Sequence, residues 1–339
     1  MTLMCSSSTE LRQTQQVPDD RSPREFEIRS LLCRDRIFFT AYLVTIFLEA
    51  GMESLAYKFK IRDYEVDFEG KVPVHILFRH WQEAALNATP SFQTVLGEKA
   101  ANLIWMLDNC QFEYYRPITK GMNVINCTAV IKSVGPYIFR SYTAYDADSQ
   151  TLLATGLGKW YIVDAGDRKI YRSVDKIFQG INYHENSAMA PMAVANTAVY
   201  KPIVPVDLPD CKHWPIPEST PVITALKQAE FSDLDRNGHV NNANYWRFIS
   251  DALVSAAGET GSIKQGSICF RREITLGERF RLNFYSYDTI NRDAVDYKRV
   301  GRDSPTNDGK SFFVCGKTDS QSNESDANFK AFISLAHNW

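Results

Sequence analysis

Two stretches of the chain carry apolar residues at helical spacing, and each leads into stretches where apolar residues alternate. Ile76, Leu77, His80, Trp81, Ala84 and Ala85 share one face in the first, and Tyr245, Phe248, Ile249, Ala252 and Leu253 share one in the second. Recurrence near i, i+4 and i+8 predicts a helix with a wide buried face. Downstream the period becomes two, through Ile125, Cys127, Ala129 and Ile131 in one case and Phe280, Leu282 and Phe284 in the other. That period sends successive side chains to opposite faces of a strand. Residues 139–145, 152–163 and 329–335 read as further strands, with turns at Asp148-Ser-Gln150 and Asp319-Ser-Gln321. The pattern is that of an α+β protein, each half a buried helix followed by an antiparallel sheet able to curl around it.

The halves repeat each other in detail. Asp67-Phe-Glu-Gly-Lys-Val72 aligns with Asp235-Arg-Asn-Gly-His-Val240, with Gly70 opposite Gly238. Asn241 or Asn242 can cap the second helix, since its side chain reaches the free N–H groups of the first turn. Between the halves lies a proline-rich connection, which includes Pro191, Pro202, Pro205, Pro209 and Pro215. Proline stiffens such a tether and keeps it out of a sheet interior. The expected division is an extension over 1–51, a first domain over 52–178, a connection over 179–222 and a second domain over 223–339. The extension is expected to be poorly ordered, with the compact protein beginning near Met52. Its apolar run, 37–48, is shorter than the roughly 18 residues of a membrane span.

Where the repeats disagree, chemistry is implied. Glu69 stands opposite Asn237, and Lys71 stands opposite His239. When 118–121 is set against 274–277, Pro117 falls opposite Glu273. Residues needed only for folding should persist in both copies. The departures therefore point to chemistry confined to the second half.

Composition narrows the classes. A length of 339 residues suggests two domains, and 44% apolar with 23% charged residues is an ordinary globular profile. A net charge of −2 offers no global basic field for nucleic acid. Seven cysteines without a C-x-x-C pair favour a reducing compartment over a disulfide framework. No cofactor is expected, since there is no phosphate-binding glycine-rich loop and no metal spacing. Cys211-Lys-His213, the nearest approach to a metal motif, has two lone ligands.

Asp-Arg-Asn-Gly-His alone could be a plain turn, because Asn-Gly accepts φ > 0 at little cost. The longer pattern is more specific. Asp235-x-Asn237-x-His239-Val-Asn-Asn, then a helix, then Arg271-Arg-Glu273 with Glu273 thirty-four positions after His239, closely resembles the acyl-acyl-carrier-protein thioesterases of plants and bacteria. Tyr64-Glu-Val-Asp-Phe-Glu-Gly-Lys-Val72, Trp81-Gln-Glu-Ala-Ala85 and Lys159-Trp-Tyr-Ile-Val-Asp164 extend the resemblance from about Lys58 to the C-terminus. It implies two tandem hotdog domains, the first holding the acyl tail and the second doing the chemistry. The implied reactive set is Asn237, His239 and Glu273, with Asp235 orienting its neighbours. One departure is that Ile274 follows the glutamate where some members carry a cysteine. Cys269, of the same parity as Glu273 on an expected strand 267–274, is the other thiol to consider, although a small buried residue is the simpler reading.

On this basis Glu273, partly desolvated, would act as general base on water. The Asn237 amide, with a backbone N–H near Gly238, would meet the developing oxyanion. His239 would protonate the departing thiolate or hold the water, and Asp235 would fix its tautomer. Leu77, Phe78 and Trp81 could border a tunnel for the acyl chain, or could be ordinary core. The expected partners are a fatty acyl thioester and acyl carrier protein, an acidic partner for Arg279, Arg281, Lys298, Arg299 and Arg302, with a homodimer left open. The expected compartment is the cytoplasm in a bacterium or the plastid stroma in a photosynthetic eukaryote. Alternatives are an acyl-coenzyme A thioesterase, a hotdog dehydratase using a helix-borne acid, and a non-catalytic acyl-binding module.

Overall fold

The computed structural model describes residues 55–87, 102–172, 174, 214–257, 262–287, 310–319 and 327–336. All lie in one compact unit, Val44–Trp339. The extension 1–51, most of the proline-rich connection, Cys211, His213, Lys298, Arg299, Arg302 and the turn at 320–321 lie outside the described residues.

The first half comprises β1 (Leu55–Lys60), α1 (Val74–Asn87), β2 (Leu103–Tyr114), β3 (Asn123–Val134), β4 (Tyr137–Asp146) and β5 (Leu152–Asp164). The second comprises β6 (Ile223–Gln228), α2 (Asn242–Ala257), β7 (Ile263–Phe270), β8 (Arg279–Ser286), β9 (Ser311–Thr318) and β10 (Phe329–Leu335). Both helices arise where the apolar spacing predicts them. Asn241 caps α2, its Oδ1 accepting the Ala243 N–H at 2.9 Å.

The halves join in one antiparallel sheet ordered β1-β3-β4-β5-β2-β7-β10-β9-β8-β6. Read inward from either end, the order is the same in repeat terms. The seam is β2 against β7, in register from Asn109↔Cys269 to Glu113↔Gln265. Both helices pack on one face of this sheet and touch each other. Phe78 of α1 meets Trp246 of α2 at 5.6 Å between ring centroids, and Phe112 of the seam meets Trp246 at 5.0 Å. Full burial of each such ring contributes roughly 1.5–3 kcal/mol. Arg79 ties the helices at their polar edge, donating to Asn244 Oδ1 at 3.0 Å.

Strict in-and-out alternation does not hold on every strand. Residues 124–130 of β3 are buried without a break, as is all of β10. For β10 the reason is apolar cover on the outer face of the sheet. Trp214, at the end of the proline-rich connection, packs there against Tyr287, Phe313 and Phe332, and Lys330 donates to its carbonyl.

Candidate active site

The loop before α2 is built by one carboxylate. Asp235 Oδ1 accepts the backbone N–H of Asn237 at 2.8 Å and of His239 at 3.4 Å. The Asp235 N–H donates to the His239 carbonyl at 2.7 Å, closing the turn, and Gly238 occupies the left-handed region at φ +78°. His239 then bridges Thr275, and the Val240 N–H donates to the Ile274 carbonyl at 2.8 Å. This short antiparallel contact brings together residues distant in sequence. Glu273 lies opposite the histidine, with His239 Nε2 3.1 Å from Glu273 Oε2. Both side chains are partly exposed, at 23% and 32%.

Two further residues hold the site, and neither was anticipated from sequence. Arg168 Nη2 lies 2.6 Å from Glu273 Oε1, reaching across from the first half. Its turn follows β5, where Asp164 Oδ1 accepts the Gly166 N–H at 2.8 Å and Arg168 itself sits at φ +58°. Tyr245, in the first turn of α2, hydrogen-bonds the Ile274 backbone. Burial holds its phenol well above the ordinary range, with the Glu273 charge adding to the effect, so the hydroxyl stays protonated. It anchors the segment that carries Glu273.

The sequence is matched by the model described as Acyl-ACP thioesterase N-terminal domain over 53–181 and by the one described as Acyl-ACP thioesterase C-terminal domain over 223–302. The chain belongs to the acyl-acyl-carrier-protein thioesterase family. Among curated relatives it is 24% identical over 224 residues to a chloroplastic acyl-acyl-carrier-protein hydrolase of Cuphea viscosissima, covering 63% of this chain and 51% of that protein. It is 22% identical over 225 residues to the chloroplastic oleoyl-acyl carrier protein thioesterase 2 of Arabidopsis thaliana, covering 64% and 58%. The match thus spans about half the length of these relatives. Two solved structures share the fold. An acyl-ACP thioesterase from Bacteroides thetaiotaomicron superposes with TM-score 0.58 at 18% identity, covering 85% of this chain and 99% of that one. The 12:0-ACP thioesterase from Umbellularia californica gives 0.57 at 17%, covering 84% and 97%.

Of the expected reactive set the structure joins His239 to Glu273, while the Asn237 side chain is placed against Asp235 only. Glu273 lies beyond the end of β7, in a loop, rather than on a strand. Its two oxygens are both engaged, one by the Arg168 guanidinium and the other by the His239 ring, a pairing the sequence did not suggest for Arg168. Asp235 engages backbone N–H groups and the Asn237 amide at 3.5 Å, and no bond from it to the His239 ring is present. The Gly238 N–H is spent within the turn, donating to the Asp235 carbonyl at 3.1 Å, which removes it as an oxyanion donor. Asn237 is exposed and its side chain is the remaining amide there.

Cys269 is fully buried on the outer face of the sheet, among Trp214, Tyr285 and Phe313, and its sulfur accepts from Asn109 Nδ2 at 3.0 Å. It takes no part in the site. Leu77, Phe78 and Trp81 are core, and Trp81 stacks on Tyr142 at 5.3 Å. A side chain at Gly156 would run into the Trp81 indole, which accounts for a glycine within β5. Of the basic residues expected to face a carrier, Arg279 and Arg281 are exposed, and Arg279 lies 3.5 Å from Asp319. No helix among the described residues is long and apolar enough to cross a membrane.

Proposed function

We propose that the chain hydrolyses fatty acyl thioesters of acyl carrier protein, and that each half is a hotdog domain, a central helix wrapped by a five-stranded antiparallel sheet. The observation that carries this reading is the His239–Glu273 pair, formed in one copy of a loop that the chain builds twice. A carboxylate and an imidazole in mutual reach supply a proton acceptor and a proton carrier beside an exposed amide.

In the proposed reaction Glu273 accepts a proton from water as its oxygen bonds to the thioester carbonyl carbon. Each carboxylate oxygen has two lone-pair directions, so the contacts to Arg168 and His239 leave room for this. The Asn237 amide donates to the oxyanion, a role in which loss of one donor typically costs about 10²–10³ in kcat. Collapse breaks the carbon–sulfur bond, and the proton passes through His239 to the departing thiolate. A free fatty acid and a carrier thiol result. The position of Glu273 on a loop, not on a helix, favours hydrolysis over the dehydratase alternative.

The test is thiol release by the full chain offered the same long acyl group on acyl carrier protein and on coenzyme A. Turnover is expected on both, with the higher kcat/KM on the carrier protein. Equal or better turnover on coenzyme A would replace the carrier assignment. Binding without thiol release from either would favour a non-catalytic acyl-binding module.

A further inference from the structure

The two copies of the loop differ at the surface as well as at the reactive pair. Their frames coincide. The residue after each edge strand is tied to the turn beyond the seam strand by two backbone hydrogen bonds. Gly121 N–H donates to the Ile61 carbonyl and Ile61 N–H to that of Met122; in the second copy Gly277 donates to Ala229 and Ala229 to Glu278. A single 3₁₀ turn follows in each, 63–65 or 231–233. In the first copy Asp63 of that turn forms an exposed ion pair with Lys120. The same two places in the second copy hold Phe231 and Leu276, which are 82% and 57% exposed.

A single exposed apolar side chain is ordinary on a protein surface. Two that adjoin, where the other copy keeps an ion pair, are not explained by the frame. Around them the exchange runs the other way. Phe68, 81% exposed, gives way to Arg236, and Tyr115 gives way to Arg271. Both arginines are exposed, and neither is paired with a carboxylate among the described residues. The nearby acids are mostly engaged within the chain. Asp233 is buried against Arg247, Asp235 holds the loop, and Glu278 Oε2 accepts the Thr275 N–H at 2.7 Å. Glu230 is the exposed exception. Aromatic residues and arginine, with charge at the rim, are the types enriched where proteins bind one another.

The place of this patch ties it to the chemistry. Leu276 lies three residues after Glu273, and its neighbour Thr275 is bridged to His239. Arg236 adjoins Asn237, and Arg271 lies two residues before Glu273. We propose that Phe231 and Leu276, rimmed by Arg236 and Arg271, are the docking surface for the acyl carrier protein, meeting an apolar spot on that acidic partner. That the partner is a carrier protein rests on the hydrolase reading. That a partner with an acidic rim seats here rests on these four residues.

Fluorescence anisotropy of labelled holo-acyl carrier protein, titrated with the full chain, tests this without turnover. Phe231→Asp combined with Leu276→Lys, which restores the ion pair of the first copy, should weaken binding about tenfold, a loss typical of removing a central apolar contact. Phe68→Ser removes an equally exposed ring from the other copy and should leave binding unchanged. Arg236→Gln combined with Arg271→Gln should weaken it about three- to tenfold and flatten its dependence on salt, since rim charges act chiefly on encounter. In turnover, the ratio of kcat/KM on the carrier thioester to that on the coenzyme A thioester of the same acid should fall about tenfold in the first double variant, in step with the lost contact. Parent-like binding in either double variant, or no binding by the parent, would overturn the proposal. So would a ratio that stays at the parent's value in a chain that turns over. Absence of thiol release from any thioester, with carrier binding still lost in the double variants, would sink the hydrolase reading and leave the docking surface standing.

Discussion

The loops 67–72 and 235–240 are the same backbone carrying different chemistry. In both, an aspartate accepts the same pair of backbone N–H groups, a glycine sits at φ +78°, and a short bridge ties the loop to the segment beyond the seam strand, Lys71↔Thr119 in one and His239↔Thr275 in the other. The first copy closes on itself, with Lys71 bound to Glu69 and Pro117 where an acid would stand. The second presents an imidazole to Glu273, and the other half supplies Arg168 to that acid. On the proposed reading, what persists in both copies is frame and what differs is function. By this criterion Asp235 belongs to the frame.

The comparison breaks most visibly at the pair itself. Glu273→Ala and His239→Ala are each expected to reduce thiol release about 10²–10⁴-fold, the usual range for a general acid–base group. Normal melting curves for both would show that the loss is chemical.

A second difference lies in the first turn of the helices, where α1 has His75 and α2 has the fully buried Ala243. Because burial lowers His75 to about 4, below its unfolded value near 6.5, the unfolded chain binds more protons between these limits. Stability contributed by the neutral ring is present above about 6.5 and is lost as pH falls toward 4. Urea midpoints for parent and His75→Gln should converge on acidification, with a swing on the order of 2–3 kcal/mol. Parallel pH profiles would remove His75 from the account.

The frame assignment for aspartate is sharper still. Asp67→Ala and Asp235→Ala should each cost about 1–2 kcal/mol in unfolding free energy, by loss of an acceptor for two backbone donors. Asp235→Asn keeps that acceptor and should keep most of the thiol release. A collapse of activity in Asp235→Asn at unchanged stability would mean that the carboxylate governs the histidine after all. The smallest expected effect is at Arg168, whose contact with Glu273 is largely solvent-accessible. Arg168→Gln should lower kcat/KM about two- to fivefold, as for other exposed ion pairs.

Much of this could be read from the chain. Both helices and five of the ten strands, β3, β4, β5, β8 and β10, follow from apolar spacing, and the mismatches at 69, 71 and 117 point to the second half as the reactive one. Other features had no local signal. Arg168 meets Glu273 through the packing of distant turns, which no periodicity records. Glu273 reads as strand because Phe270 and Ile274 extend the alternation, yet β7 ends at Phe270. Leu77, Phe78 and Trp81 have the residue types of either a tunnel or a core, and what the structure adds is their burial, with ring contacts to Phe112, Tyr142 and Trp246. The role of Asp235 was obscured because an aspartate two residues from a reactive asparagine suits both a turn and a catalytic relay.

The most direct test of the central claim, that His239 and Glu273 work as one unit in only one copy of the loop, is a double-mutant cycle on thiol release from a long-chain acyl carrier protein thioester. The double variant His239→Ala with Glu273→Ala should be no slower than the poorer single variant, as for residues acting together. Losses that multiply would contradict the claim, as would a double variant that still turns over like the parent.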